Sequence, residues 1–348
     1  MSKGNPLFSR LATFSLKPSQ YATLIMKKIL SLCLVSSACM TLAVTAQQDE
    51  PAFHNYRHGF NKDVLALQIL LDRQDISCNM IDGCWGKRTE IAFMTWQTIK
   101  ELPVTGIPTE ETLTVLGSGT TNIFLRYRVT TNDLEQLGPF PEDWEERAKL
   151  PGLKYVTILE MLSERSHGSE KLIKFLNSSA KWPNPDPGTE VILPDCTPST
   201  AKKYAGSIRI SLSRMEVTVF GLKGELLALF PCSIARDKAK RPVGDLEVKH
   251  LVPNPTYTYD PQLFTPGGPK TSKLIIPPGP NNPVGLAWMT LALRTESDKP
   301  LQGYGMHGTP YPDRIGNAES KGCFRLANWN AQKVLRMASE GTPIEIED

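Results

Sequence analysis

The chain has 348 residues, enough for two or three domains, and its 40% hydrophobic and 22% charged content is that of an ordinary soluble globular protein. Formal net charge is only +3, with no basic block or aromatic-basic stripe, which sets aside a nucleic-acid surface. The 28 prolines gather in the second half and favour loops and strands over long helices there.

The N-terminus reads as a targeting segment. Met26-Lys27-Lys28 gives a charged start, residues 29–43 are almost entirely apolar or small, and Val44-Thr45-Ala46 ends in small residues before Gln47-Gln48. This pattern predicts a signal peptide over residues 1–46, cleaved after Ala46, then a linker over 47–60, and an exported protein in the periplasm or cell wall. The apolar stretch is too short for a comfortable membrane span. Residues 1–25 contain Lys3, Arg10 and Lys17 but no acid, so they are either a long n-region or sequence upstream of a start at Met26. Ser37-Ala38-Cys39 resembles a lipoprotein box, although Ser36 stands where such boxes carry Leu. Membrane attachment would follow only from lipidation at Cys39.

Of seven cysteines, Cys33 and Cys39 leave with the leader, and Cys78, Cys84, Cys196, Cys232 and Cys323 remain. That is an odd number in an oxidising compartment. Cys78 and Cys84 are close enough to staple one loop, and Cys196 and Cys232 flank the first C-terminal strands. Pairing itself cannot be read from sequence, but this arrangement leaves Cys323 as the unpaired thiol.

Residues 61–118 read as a small all-α module. Val64, Leu65, Leu67, Gln68, Leu70 and Leu71 define an amphipathic helix, a turn follows at Ile81-Asp82-Gly83-Cys84-Trp85-Gly86, and a second helix runs from about Thr89 to Ile99. A third helix starts with a capping signal at Thr109-Glu110-Glu111. The order of Gln68, Asp82, Gly83, Gly86, Thr89, Ala92, Gln97, Gly106 and Thr112 is similar to the three-helix peptidoglycan-binding domain; the bland reading is a plain helical adaptor.

Residues 122–196 open with a strand leading into a turn over Tyr127–Leu134. Two helical stretches follow, around Thr157–Glu164 and Ser169–Asn177, and a strand over Pro187–Pro194 closes the segment. This α+β order resembles a LysM glycan-binding fold, with residues 135–152 as an insertion relative to it. The alternative is a structural spacer.

From residue 204 the chain changes to short alternating runs. Strands are predicted at Ser207–Leu212, Glu216–Phe220, Glu225–Phe230, Asp245–Val252, Leu286–Leu293 and Ile344–Ile346, a mainly-β sandwich or barrel-like domain over 204–348.

This last region holds the chemistry. His307-Gly308-Thr309 stands sixteen residues before Cys323, within Ser320-Lys321-Gly322-Cys323-Phe324-Arg325. A thiol, an imidazole and a guanidinium this close suit acyl transfer through a thioester. Alone, Cys323 would read as a small buried hydrophobe. Positive charge from Arg325 and from protonated His307 is expected to lower its pKa. Gly322 is expected to let the backbone bend there.

The run resembles the active-site signature of L,D-transpeptidases with the YkuD-type catalytic domain, His-Gly-Thr or His-Gly-Ser followed by Ser-x-Gly-Cys-x-Arg. Arg241-Pro242-Val243-Gly244-Asp245, Asn282-Pro283-Val284-Gly285 and Tyr304-Gly305-Met306 extend the likeness across the region. The resemblance implies Cys323 as nucleophile, His307 as general base, and the Gly322 carbonyl as its orienting partner. Arg325, Ser320, Gly308, Thr309 and Tyr304 are the implied substrate-binding residues, with Lys321 where the commoner family residue is His. Ser320 is expected to bond locally and shape the loop. Arg325 stacked on Trp329 at the surface is the bland alternative, and Trp288 and Tyr304 line the cleft or simply pack.

Also implied are release of D-Ala from a tetrapeptide stem, 3→3 crosslinks, and acylation by carbapenems. Partners would be peptidoglycan stems and glycan strands, or an acceptor protein. L,D-carboxypeptidase action, protein-to-wall anchoring and a non-catalytic wall-binding scaffold stay open. A sortase-like enzyme shares the chemistry, but its Thr-Leu-x-Thr-Cys strand is absent. His54, His58, His167 and His250 read as surface or turn residues without ligand-spaced partners, so no metal or organic cofactor is expected. Asp313 and Glu319 read as solvated loop charges.

Overall fold

The computed structural model describes residues 56–117, 122–198, 202–242, 244–263, 272–296 and 300–348. The leader, Cys33, Cys39 and His54 lie outside them. Among the described residues no helix is long and apolar enough to cross a membrane.

Asn61 starts helix α1 (Lys62–Asp72) because its side-chain oxygen accepts the N–H groups of Asp63 and Val64, at 2.7 and 3.2 Å. Val64, Leu67 and Leu71 then face Phe93 and Trp96 of α2 (Lys87–Ile99) in one apolar cluster. Thr109 caps α3 (Glu110–Leu116) in a reciprocal box whose partner is Thr112, and Gly117 ends it at φ 88°. Gln68 fixes the turn between α1 and α2. Its amide donates to Asp82 Oδ1, the Cys84 carbonyl and Thr89 Oγ1 at 3.0–3.1 Å, and its oxygen accepts from the Asp82 and Gly83 N–H groups. The motif residues that read as a peptidoglycan-binding signature therefore hold the scaffold.

In the middle segment β1 (Phe124–Arg128) pairs antiparallel with β2 (Glu190–Pro194). The turn expected after this strand is the one-turn helix α4 (Thr131–Leu134), with Thr130 and Asp133 forming a capping box at its start. After α5 (Trp144–Ala148) come α6 (Ile158–Arg165) and α7 (Glu170–Leu176), capped by Thr157 and Ser169. Ile158, Met161, Leu162 and Ile173 meet Val129, Val191 and Leu193 in a separate core.

The C-terminal region is mainly β. Its strands are β3 (Ser207–Ser211), β4 (Glu216–Phe220), β5 (Leu226–Pro231), β6 (Ile234–Ala235), β7 (Asp245–Pro253), β8 (Tyr257–Tyr259), β9 (Leu274–Ile276), β10 (Ala287–Leu293), β11 (Pro300–His307), β12 (Ala318–Ser320), β13 (Phe324–Arg325) and β14 (Pro343–Glu347). Eight of them form one sheet in the order β13-β11-β10-β7-β14-β3-β4-β5. β14 runs parallel to β3, and β13 parallel to β11. Ile208 and Ile210 of β3 point inward opposite Val219 and Val217, the period of two expected of a half-buried strand. Helix α8 (Asn328–Met337) closes the core through Ala331, Val334 and Met337.

Asp49–Asp348 form one compact unit, and a buried polar network joins its parts. Lys333 Nζ of α8 lies 2.9 Å from Asp72 Oδ1 of α1, which also meets His167 Nδ1 at 2.8 Å. Lys203 reaches Asp75 at 3.0 Å, and Leu229 of β5 packs into the first module's cluster. His167 lies on a turn, as one of the two readings had it, but it is a buried junction residue stacked on Trp329 and not a surface one. Burial holds its pKa below the ordinary imidazole value against the pull of Asp72. Asp72, His167 and Cys196 bring potential ligand atoms within 4.8 Å of one another. The Lys333 ammonium already balances that carboxylate, so the set needs no cation.

The five cysteines from Cys78 onward all carry free thiols. Cys78 is buried in the first module's core while Cys84 is exposed on the turn, and Cys232 lies in the large β core while Cys196 packs elsewhere. Neither the Cys78–Cys84 bridge suggested by proximity nor the Cys196–Cys232 bridge suggested by the flanked strands is formed.

Candidate active site

Parallel pairing of β11 with β13 puts Met306 beside Phe324 and His307 beside Arg325. The same register sets Cys323 alongside Gly305, whose backbone N–H faces the thiol. His307 is the last residue of β11 and Cys323 immediately precedes β13, with Gly308 to Gly322 between them.

Imidazole orientation follows from its partner. His307 Nδ1 lies 2.6 Å from the carbonyl oxygen of Gly308. A carbonyl only accepts, so Nδ1 carries the proton and Nε2 is left as a base. The orienting carbonyl is that of Gly308 rather than of Gly322, because the ring turns back on its own strand end. Trp288 stacks on the ring at 5.5 Å and 20°, with its Nε1 donating to Thr290 Oγ1 at 2.9 Å. Gly305 permits this, since a Cβ there would strike the Trp288 ring.

Charge states differ from the sequence expectation. Burial pushes His307 down to about 4, and its neighbour Arg325 adds to that, so the ring is neutral near pH 7. Burial also raises the Cys323 thiol above its ordinary value, against the lowering influence of the Gly305 N–H and the Arg325 charge. A protonated His307 does not stabilise the thiolate here, and the resting pair is a neutral thiol and a neutral base.

The loop is built from its own side chains. Ser320 donates to the Cys323 carbonyl at 2.6 Å and accepts from the Gly322 N–H at 3.3 Å, which forms the bend at Gly322. Thr309 is buried and accepts from the Tyr311 N–H at 3.3 Å. Arg325 Nη1 pairs with Glu319 at 3.2 Å, so Glu319 is no free loop charge and Arg325 does not stack on Trp329, which faces His167 instead. Asp313 is exposed. Tyr304 is half-buried on β11, and Lys321 is exposed at the bend.

Several contributors were not visible in the sequence. Asn79 donates to the Pro312 carbonyl at 2.8 Å and Arg88 to that of Ile315, so the first module props the loop. Buried Asn328 accepts from the Leu286 N–H at 3.2 Å and donates to Glu164 Oε2 of α6 at 2.8 Å. It packs so tightly beneath Gly308 that a Cβ there would meet its oxygen. Tyr257 of β8 lies near Cys323 and Arg325. Trp144 of α5 stacks on Tyr259 at 4.3 Å and so anchors that hairpin.

Residues 205–346 match the family model described as the L,D-transpeptidase catalytic domain, YkuD, and residues 61–116 match that described as a "Putative peptidoglycan binding domain". The chain carries a YkuD-type L,D-transpeptidase domain and a peptidoglycan-binding domain. Two curated relatives, each named "Putative L,D-transpeptidase YkuD", come from Bacillus licheniformis (35% identical over 69 residues) and Bacillus subtilis (36% over 67). These matches cover 20% and 19% of this chain and 37% and 36% of the relatives, so the chain spans little more than a third of their length. Among solved structures, Mycobacterium tuberculosis L,D-transpeptidase 3 is similar at 16% identity and TM-score 0.31, over 41% of this chain and 60% of that one. The catalytic domain of the E. faecium L,D-transpeptidase, acylated by ertapenem, is similar at 15% identity and TM-score 0.29, over 42% of this chain and 99% of that one.

Proposed function

We propose that the protein is an exported cysteine L,D-transpeptidase acting on peptidoglycan stem tetrapeptides. The observation that carries the reading is the Nδ1 bond of His307 to Gly308, which leaves Nε2 as a base, on a strand whose pairing sets His307 beside Arg325, two residues after Cys323. With both groups neutral at rest, His307 takes the thiol proton as Cys323 attacks the carbonyl between the third residue and the terminal D-Ala. The C–N bond breaks, the proton passes to the departing amine, and D-Ala leaves a thioester. An acceptor's side-chain amine then resolves it into a 3→3 crosslink and returns the proton through His307. Arg325, with Gly308, Thr309, Ser320 and Tyr304 around it, holds the stem, and the N–H groups near Cys323 receive the oxyanion.

Export rests on the leader pattern at residues 26–46. A LysM-like fold for the middle segment is supported by its β1-α6-α7-β2 order and the antiparallel β1–β2 pair. The 61–118 and 122–196 segments would hold the wall polymer near the thiol, and an acceptor protein would use the same acyl-enzyme.

The test is mass spectrometry of a purified disaccharide-tetrapeptide after incubation with the full chain. D-Ala release with dimers supports transpeptidation, and release without dimers supports trimming by water. No change, with Cys323→Ala matching the unaltered chain, would reject the reading.

A further inference from the structure

The middle segment reaches the strand end that carries His307 through a continuous set of hydrogen bonds. It begins where the 277–285 loop is stitched to residues 153–160. The Leu153 N–H donates to the Pro278 carbonyl at 2.9 Å, and the Asn281 N–H to the Leu153 carbonyl at 3.1 Å. Asn281 Nδ2 also donates to the Lys154 carbonyl at 2.8 Å and to Glu160 Oε1 at 2.7 Å. The loop ends at Gly285, which packs so closely on the Gly308 backbone and on Asn328 that a Cβ there would strike both.

Glu164 completes the set from α6. Its Oε2 accepts from Asn328 Nδ2 at 2.8 Å, and its Oε1 from the Tyr155 hydroxyl at 2.9 Å. Asn328 Oδ1 takes the Leu286 N–H at 3.2 Å, and the Gly308 carbonyl above it is the partner of His307 Nδ1. An ionised carboxylate only accepts, so it fixes the amide in one sense, with its NH2 toward Glu164 and its oxygen toward Leu286. A protonated Glu164 offers an O–H and tolerates the inverted amide, which strands the Leu286 N–H. The charge-assisted bond is also the stronger of the two. Burial pushes the Glu164 carboxyl up to about 7 against the bonds from Asn328 and Tyr155, while Glu160, one turn earlier, adds to the rise and Arg165 opposes it. The 277–285 loop and α8 present the uncharged Asn281 and Asn328 here, and Glu170 and Lys171 of α7 and Asp313 line the same cleft as Glu164.

We infer that Glu164 is a positioning residue for His307: when ionised, it locks the Asn328 amide beneath Gly308 and so steadies the carbonyl that keeps Nδ1 protonated and Nε2 free. The inference rests on His307 serving as the base for Cys323. His307 titrates at about 4 and the thiol above its ordinary value, so an ionisation between pH 5.5 and 8 belongs to neither reacting group. The test follows single-turnover D-Ala release from the disaccharide-tetrapeptide by the full chain across that range, in the parent, Glu164→Gln and Glu164→Ala. The nitrogen-15 resonance of His307 Nδ1, assigned by its loss in His307→Gln, is recorded alongside. The parent is expected to release D-Ala about fivefold faster at pH 8 than at pH 5.5, the gap between a charge-assisted and a neutral hydrogen bond. Its Nδ1 resonance is expected to move with the same midpoint. Glu164→Gln, a permanent copy of the protonated acid, gives a flat profile at the lower rate and a fixed resonance. It stays faster than Glu164→Ala, which offers Asn328 no acceptor. Parent and Glu164→Gln profiles of the same shape, as a merely structural role requires, overturn the proposal, and so does a parent resonance that is constant across the range. No D-Ala release by the parent at any pH, with the resonance still following Glu164, rejects the transpeptidase reading alone.

Discussion

Replacing Lys333 by methionine removes the cation at the junction of α1, α8 and the His167 turn. Lys333 is 4% exposed, and its Nζ contacts Asp72 Oδ1 at 2.9 Å, the Asp72 carbonyl at 3.0 Å and Asp75 at 3.6 Å. Asp75 keeps Lys203, but Asp72 keeps only a neutral imidazole, and its Oδ2 already has no hydrogen-bond partner. Stranding a buried carboxylate in this way costs about 3–5 kcal/mol. The sign with pH follows from Asp72, whose pKa is held below the ordinary carboxylate range by His167 and Lys333 despite burial. Its stabilisation is present above the unfolded value near 4 and fades as pH falls through the folded one, so parent and variant converge in acid. Urea unfolding followed by tryptophan fluorescence at pH 7.5 and pH 4 measures both effects. A loss under about 1 kcal/mol at pH 7.5, or a gap that widens in acid, would refute the reasoning; Asp72→Asn added to Lys333→Met is expected to recover part of the loss.

Asn328→Ala strands the Leu286 N–H and frees Glu164, and is expected to cost about 2–4 kcal/mol in urea unfolding, with turnover falling further than stability alone explains. Iodoacetamide labelling of Cys323 at pH 7 is expected to be slower than that of a free thiol and to climb steadily beyond pH 9; Glu319→Gln, which frees the Arg325 charge, speeds it, and a labelling plateau below pH 7 would contradict the raised thiol pKa. Burial raises Glu164 to about 7, so the folded state holds its proton and the chain loses stability as pH rises from the unfolded value near 4.3 through 7. Glu164→Gln is expected to flatten that part of the pH–stability curve, read from melting temperatures between pH 4 and 8.

Period-two alternation made β3, β4, β5, β7 and β10 legible, and Asn61, Thr157 and Ser169 cap helices as short polar residues do. Helix α8 escaped because its inner face mixes Ala331, Val334 and Met337 with the buried polar Asn328, Asn330 and Lys333, which break the apolar period. The β8–β9 hairpin has three residues a side, too few for a pattern. His307, Cys323, Arg325 and Ser320 were visible because their spacing is local. Their charge states were not, because burial is a property of the assembled core. Nor could His167 be placed, since its partner Asp72 is 95 residues away.

The bonds from Asn79 to Pro312 and from Arg88 to Ile315 make the helical module a splint for the segment that leads to Cys323. Excising the C-terminal portion for biochemistry would unbrace that segment and lay bare Leu229 and the Lys333 ammonium. Rates measured on such a fragment would describe a loosened molecule, and transplanting a foreign helical module onto it would fail unless the graft brought its own struts.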